Sequence, residues 1–260
     1  MGSLAGKSPA NTYKSLLKVA DETNGVSGSA SQIEDGEGTS TCLQISTTVA
    51  HFKPASDVNA ALKVERANGD DLLTVDTNNS LVKVGTSQVS ATTQLLTFNA
   101  YRIVPASAGT HYFVGLPTGE YQSHNVELSV GTGTDPDTSK DAGTSTQYLA
   151  NYLFPVPFNV TIDACKAFIS SHQDTDITVN THLMSYDIVA DGTTSDGNLS
   201  NGTVLADGQA TAVDRNVIKT VDCTIQNSSV TSGKVIALAV ENVTNTDYIN
   251  IQVQVKYHIA

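Results

Sequence analysis

Tyr248-Ile249-Asn250-Ile251-Gln252-Val253-Gln254-Val255-Lys256-Tyr257-His258-Ile259 alternates along its whole length. Ile249, Ile251, Val253, Val255 and Tyr257 fall on one side, and Asn250, Gln252, Gln254, Lys256 and His258 on the other. Strand side chains point to opposite faces with a period of two, so this segment reads as a strand with one face in a core and one in water. Upstream, Val235-Ile236-Ala237-Leu238-Ala239-Val240 is unbroken and apolar, the mark of a central strand buried on both faces. Strand patterns also span Val160–Ile169, Ile177–Ile188 and Val217–Ile225. Between them stand the turn pairs Asp191-Gly192, Asp196-Gly197, Asn201-Gly202, Asp207-Gly208 and Ser232-Gly233. Helical periodicity is absent here. Residues 105–260 are therefore expected to form an antiparallel β-sandwich, jelly-roll-like in character. Gly131 to Gln147 reads as a long exposed loop.

Residues 41–104 carry a thinner version of the same pattern. Leu43 and Ile45 alternate with polar residues, as do Leu62 and Val64, Leu73 and Val75, and Val82 and Val84. Asn68-Gly69 is a hairpin signal, and Asn78-Asn79 marks a further turn. Each strand has one narrow apolar face. Ordering the backbone costs roughly 1–2 kcal/mol per residue, more than one copy of so sparse a meander recovers. The region is expected to act as a shaft whose interior comes from sister subunits, with packing on the C-terminal domain as the competing arrangement.

Residues 1–40 open with Ser8-Pro9, an N-cap followed by proline at the first helical position. Tyr13, Leu16, Leu17 and Ala20 then share a helical face, and Asn24-Gly25 ends it. The stripe needs a surface to cover it, either the chain's own domain or another protein.

Composition narrows the function. The chain has 260 residues, 14 Lys+Arg against 26 Asp+Glu, and a net charge of -12. Residues 105–260 hold 16 of the acids and 6 of the bases. Phosphate contacts need clustered Lys and Arg, so nucleic acid is excluded as a partner. The longest apolar run is six residues against the roughly 20 of a membrane helix, and the start lacks a signal-peptide core, so membrane insertion and export are not expected. Cys42, Cys165 and Cys223 are odd in number and widely spaced, which argues for free thiols, buried in the case of Cys165 and Cys223.

Catalytic motifs are not found. Gly6-Lys7-Ser8 lacks the earlier glycine and preceding strand of a phosphate loop. No His-Glu-x-x-His or Gly-x-Ser-x-Gly occurs. His172 and His182 could meet across adjacent strands and hold a metal, and the paired acids Asp174/Asp176 and Asp191/Asp196 could bind calcium, but the histidines read as ordinary core or surface residues and the acids as turn formers. Two aromatic clusters, Tyr148, Tyr152, Phe154 and Phe158, and Tyr101, Tyr112, Phe113 and Tyr121, offer rings that a sugar stacks on or that plug a core. No enzyme activity, cofactor or metal is expected.

Tyr13-Lys14-Ser15-Leu16-Leu17, Asn24-Gly25-Val26, Glu34-Asp35-Gly36-Glu37-Gly38-Thr39 and Leu43-Gln44-Ile45-Ser46 together resemble the N-terminal segment of fibre-like virion proteins of tailed phages, aquatic and cyanobacterial ones above all. Asn68 to Thr77 and Val82-Lys83-Val84-Gly85 resemble the strand-turn unit of phage fibre shafts. The resemblance spans about residues 8–86. It implies a homotrimeric structural protein, assembled in the host cytoplasm and carried on the virion at tail, neck or capsid among other virion proteins. Residues 1–40 would be the virion-attachment segment, docking through Tyr13, Leu16 and Leu17. Residues 41–104 would be the oligomerising shaft, with Leu62, Val64, Leu73, Val75, Val82 and Val84 as the trimer core. Residues 105–260 would be the head. The alternative role for the head is receptor binding, with Tyr148 and Tyr152 as candidate contacts for a host surface glycan.

Overall fold

The computed structural model describes residues 16–21, 23–87, 89–117, 128–141, 149–173, 176–189 and 197–260. The fold is all-β, as the alternation requires, and the chain divides into two units, Met1–Ala91 and Thr92–Ala260.

The first unit holds two four-stranded antiparallel sheets. One is β1 (Lys18–Val19), β2 (Ser31–Glu34), β3 (Ser40–Ile45) and β4 (Ala50–Phe52), in that order. The other is β5 (Leu62–Glu65), β6 (Asp71–Asp76), β7 (Leu81–Val84) and β8 (Val89–Ser90). Both hairpin signals hold. Gly69 sits at φ 89°, where only glycine is at ease, and Arg66 N donates to Asp70 O across the β5–β6 turn. Asp76 caps the β6–β7 turn by accepting from Asn79 N at 3.0 Å.

The helix expected through Tyr13–Ala20 is absent where the structure describes that stretch. Lys18 and Val19 instead pair with Glu34 and Ile33, and Lys18 Nζ lies 3.2 Å from Glu34 Oε1. The strand partner satisfies backbone groups that an isolated helical turn leaves open, and β-branched Val19 favours it. Tyr13 lies outside the described residues.

The second unit contains β9 (Thr93–Ile103), β10 (His111–Val114), β11 (Phe154–Pro155), β12 (Val160–Ser171), β13 (Ile177–Ile188), β14 (Leu199–Val213), β15 (Lys219–Ile225), β16 (Ser229–Val230), β17 (Val235–Asn242) and β18 (Ile249–Ile259). The hydrogen-bonded order is β10-β17-β13-β14-β15-β12-β18-β9, with β11 on β17 and β16 on β12. Every pairing is antiparallel. The β14–β15 link is short, Ala206↔Ile225 and Asp207↔Thr224, and there the sheet folds over. At the opposite rim Asn99 N donates to Gly115 O at 3.0 Å, so the layers nearly close into a flattened barrel.

Between the layers lies the main core, including Phe98, Ile169, Leu183, Leu205, Leu238 and Val253. A second core covers the outer face of β10, β17 and β13. There Phe113, Met184, Tyr186 and Ala239 meet Leu128, Val130, Leu149 and Leu153 from the connecting segments. Hence β17 is buried at all eight positions, as its unbroken apolar run foretold. In β18, Ile249, Ile251, Val253 and Val255 are buried and Gln252 and Gln254 are exposed.

Three local expectations change. Residues 93–103, counted with the shaft, form β9 and pair with β18 from His258↔Thr93 to Ile249↔Ile103, so the boundary between units falls at Ala91. Asn201-Gly202 and Asp207-Gly208 are not turns but lie inside β14. Their glycines answer to close approach: a Cβ on Gly202 would lie 2.5 Å from the Tyr186 ring, and one on Gly208 would lie 2.7 Å from Val221 Cγ1 and 2.9 Å from Cys223 Sγ. Asn201, at φ 51°, absorbs a bulge where the β13–β14 register shifts. Cys165 and Cys223 are free, buried and directly opposite each other across β12 and β15, and Cys42 is exposed.

Candidate functional site: an uncovered apolar sheet face

The six residues assigned to an oligomer core share one face of the β5–β8 sheet. Leu62 stands opposite Val75 and Val64 opposite Leu73; Leu73 in turn faces Val84, and Val75 faces Val82. They form a continuous apolar patch across three strands. It is uncovered: Val64 is 46%, Val82 43% and Val84 43% exposed, with Leu62, Leu73 and Val75 half-buried. Among the described residues, no apolar side chain of the first unit is buried, whereas the second unit's core begins at Leu96.

The opposite face of that sheet is polar and ordered. Lys63, Thr74, Lys83 and Ser90 run across it in register, and Thr74 is buried there. Asp76, only 1% exposed, accepts from Lys83 Nζ at 2.6 Å and from Asn79 Nδ2 at 3.0 Å. Lys83 and then Asn79 hold its carboxyl down at about 2. Lys63 bridges Asp71 at 2.8 Å and Glu65 at 2.9 Å, which holds the Asp71 carboxyl below its ordinary range. These ion pairs fix the strand register, so the apolar side chains are presented in fixed rows.

Of the residues expected to dock, Leu16 is exposed and Leu17 is 69% exposed. Of the glycan candidates, Tyr148 lies outside the described residues. Tyr152 is 7% exposed and packs in the outer core beside Leu149 and Leu153, so its ring faces are taken by protein. An open groove lies elsewhere, over β9, β12 and β18, lined by Asn99, Tyr101, Phe168, Ser170, Asn250 and Gln252. Its signal in the sequence was the polar side of the alternating β18 pattern, which read only as a wet face.

The histidines regroup. His172 stacks on Tyr248 at 5.7 Å between ring centroids and meets Tyr101 edge-on. It does not meet His182. His182 instead lies 5.0 Å, centroid to centroid, from His111, and His111 Nε2 is 3.6 Å from Glu241 Oε2. All three side chains are buried on the outer face of β10, β17 and β13, where His111 pairs with Glu241 in register. Burial holds His182 down at about 4 and lowers His111 as well, so both rings are neutral near pH 7. Sequence spacing gave no sign of this trio, because its members lie 59 or more positions apart and meet only through sheet order.

No helix among the described residues is long and apolar enough to cross a membrane. No family model and no curated protein sequence matches the chain. Among solved structures, it is similar to the CBM22-1–GH10 modules of the Clostridium thermocellum xylanase 10B complexed with xylohexaose, at 9% identity and TM-score 0.23, over 64% of this chain and 26% of that one. It is also similar to the infectious bursal disease virus Gx strain structure, at 9% identity and TM-score 0.26, over 74% of this chain and 64% of that one. The chain thus spans about a quarter of the first structure and just under two thirds of the second, and at these TM-scores neither likeness bears on function.

Proposed function

We propose that the chain is a structural protein of a tailed-phage virion, a short homotrimeric fibre or spike attached through its N-terminal segment and headed by the C-terminal β-domain. One observation carries the reading: the first unit presents Leu62, Val64, Leu73, Val75, Val82 and Val84 in register on one uncovered face and buries no apolar side chain among its described residues. Fully burying a Val or Leu side chain is worth about 1.5–3 kcal/mol, so completing six half-covered ones supplies on the order of 5–9 kcal/mol per copy. That is comparable to the roughly 4–15 kcal/mol of freedom lost on docking. The copy number of three comes from the resemblance to fibre shafts. The role is one of assembly, with no catalysis assigned, and the net charge of -12 keeps the closely set heads soluble and apart.

Leu16 and Leu17, both exposed, supply the docking contact. The double variant Leu16→Asp, Leu17→Asp is expected to assemble as an oligomer in solution yet to be missing from purified particles, as measured by quantitative mass spectrometry of virions. Incorporation at the native level would contradict the attachment role.

A second reading rests on the groove over β9, β12 and β18, where Tyr101 and Phe168 offer exposed rings beside the amides of Asn99, Asn250 and Gln252. Rings flanked by amides suit a saccharide, so the head serves as a receptor-binding adhesin in this variant of the account. Binding of residues 92–260 on an array of host surface polysaccharides, lost in Tyr101→Ala, supports it; no binding leaves the purely structural role.

A further inference from the structure

We infer that His111, His182 and Glu241 form a binding site for one Zn2+ ion in the C-terminal unit. The inference stands apart from the assembly reading and uses none of its residues.

The trio comes from three adjacent strands, His111 on β10, Glu241 on β17 and His182 on β13, all facing the outer core. One donor atom from each lies within 4.8 Å of the other two. Both ring nitrogens of His111 and both of His182 are buried and have no hydrogen-bond partner among the described residues. Leaving such a group unpaired is costly, and buried polar groups are otherwise almost always satisfied. One nitrogen from each ring converges with the Glu241 carboxylate, and these two unpaired nitrogens call for a shared occupant.

The separations favour a cation over a direct contact. His111 Nε2 and Glu241 Oε2, at 3.6 Å, are too far apart for a good hydrogen bond. Two donors on one tetrahedral Zn2+, each at about 2.0–2.2 Å, sit roughly 3.3–3.5 Å apart. Two imidazoles with one carboxylate form a donor set suited to zinc and ill suited to magnesium or calcium, which prefer oxygen alone.

The surroundings are built as a support shell. Asn180 Nδ2 donates to Glu241 Oε2 at 2.7 Å, and Gln209 Nε2 donates to Asn180 Oδ1 at 2.8 Å, orienting the carboxylate. The segment 130–137 runs alongside β10: Val130 N donates to His111 O, His111 N to Gly131 O and Asp137 N to Val130 O, while Tyr186 Oη donates to Asp137 O at 3.0 Å. That segment carries Asp135, whose Oδ1 is 3.8 Å from His182 Nδ1 on the exposed side. Held by these three donors, the ion would tie β10, β17 and β13 together on their outer face.

The test uses the full chain without a histidine tag, stripped by chelation, dialysed against Zn2+ alone, and analysed by elemental mass spectrometry. One Zn2+ per chain is expected, with a raised unfolding temperature that chelator reverses. His182→Gln and Glu241→Gln are expected to retain none, Asn180→Ala to bind about 10–100-fold more weakly, and His258→Gln, outside the site, to bind as the native chain does. No zinc on the native chain, or equal zinc on the His182 and Glu241 variants, overturns the inference. Should those variants fail to fold, X-ray absorption of the zinc-loaded native chain decides. Two imidazole nitrogens at about 2.0–2.1 Å are expected, and a shell of oxygens alone overturns it.

Discussion

Asp76 shows how one residue ties the β5–β8 sheet together. It is buried, it caps its own turn through Asn79, and it holds Lys83 against the polar face. Its folded carboxyl titrates at about 2, below its ordinary value near 3.8. A depressed carboxylate gives stability that is present above the unfolded value and lost as pH falls through the folded one. Native chain is therefore expected to unfold at higher temperature than Asp76→Asn at pH 5, with the gap closing as pH falls from about 4 toward 2. A gap that stays constant across that range, by calorimetry, contradicts the assignment. Gly208 makes the complementary point about space. Adding a Cβ there forces Val221 or Cys223 to move, and overpacking of this kind costs about 1–3 kcal/mol. Gly208→Ala is expected to lower the melting temperature by several degrees, whereas Gly28→Ala, with open space around it, leaves it unchanged. Neither glycine at 202 or 208 was legible. Asn-Gly and Asp-Gly signal a turn in sequence, and only the approach of Tyr186 and Cys223 from other strands shows why a strand needs them.

At the scale of elements, legibility followed burial. The strands β13, β17 and β18 were readable because a covered face imposes strict alternation or an unbroken apolar run. β9 was not: Leu95 is exposed beside buried Leu96, which blurs the period, so the segment passed for shaft. The short β1 was misread as helix because Leu16, Leu17 and Ala20 keep helical spacing while the deciding partner, Ile33-Glu34, lies 14 or more residues on. The β5–β7 meander was readable for the opposite reason, since its apolar face is regular and yet has nothing to cover it. Charging that face tests its purpose. Val64→Glu with Val82→Glu is expected to convert the assembly to single chains, because a buried unpaired charge costs several kcal/mol. The far-ultraviolet circular dichroism of the C-terminal unit should be unaffected. An oligomer that survives both charges places the interface elsewhere.

At the scale of the molecule, the two units differ in kind. Thr92–Ala260 encloses two cores and meets the needs of a self-sufficient domain. Met1–Ala91 contributes ion pairs, turns and a row of uncovered valines and leucines, and it lacks a core of its own among the described residues. The trio of His111, His182 and Glu241 was invisible in sequence because sheet order, and not spacing, assembles it. The apolar face was visible because each strand declares its own alternation. The central claim is that this face finds its cover on sister chains, and light scattering coupled to gel filtration tests it most directly. The account predicts a particle of about 82 kDa for three chains of 27.3 kDa; a species of 27.3 kDa that persists at micromolar concentration would contradict it.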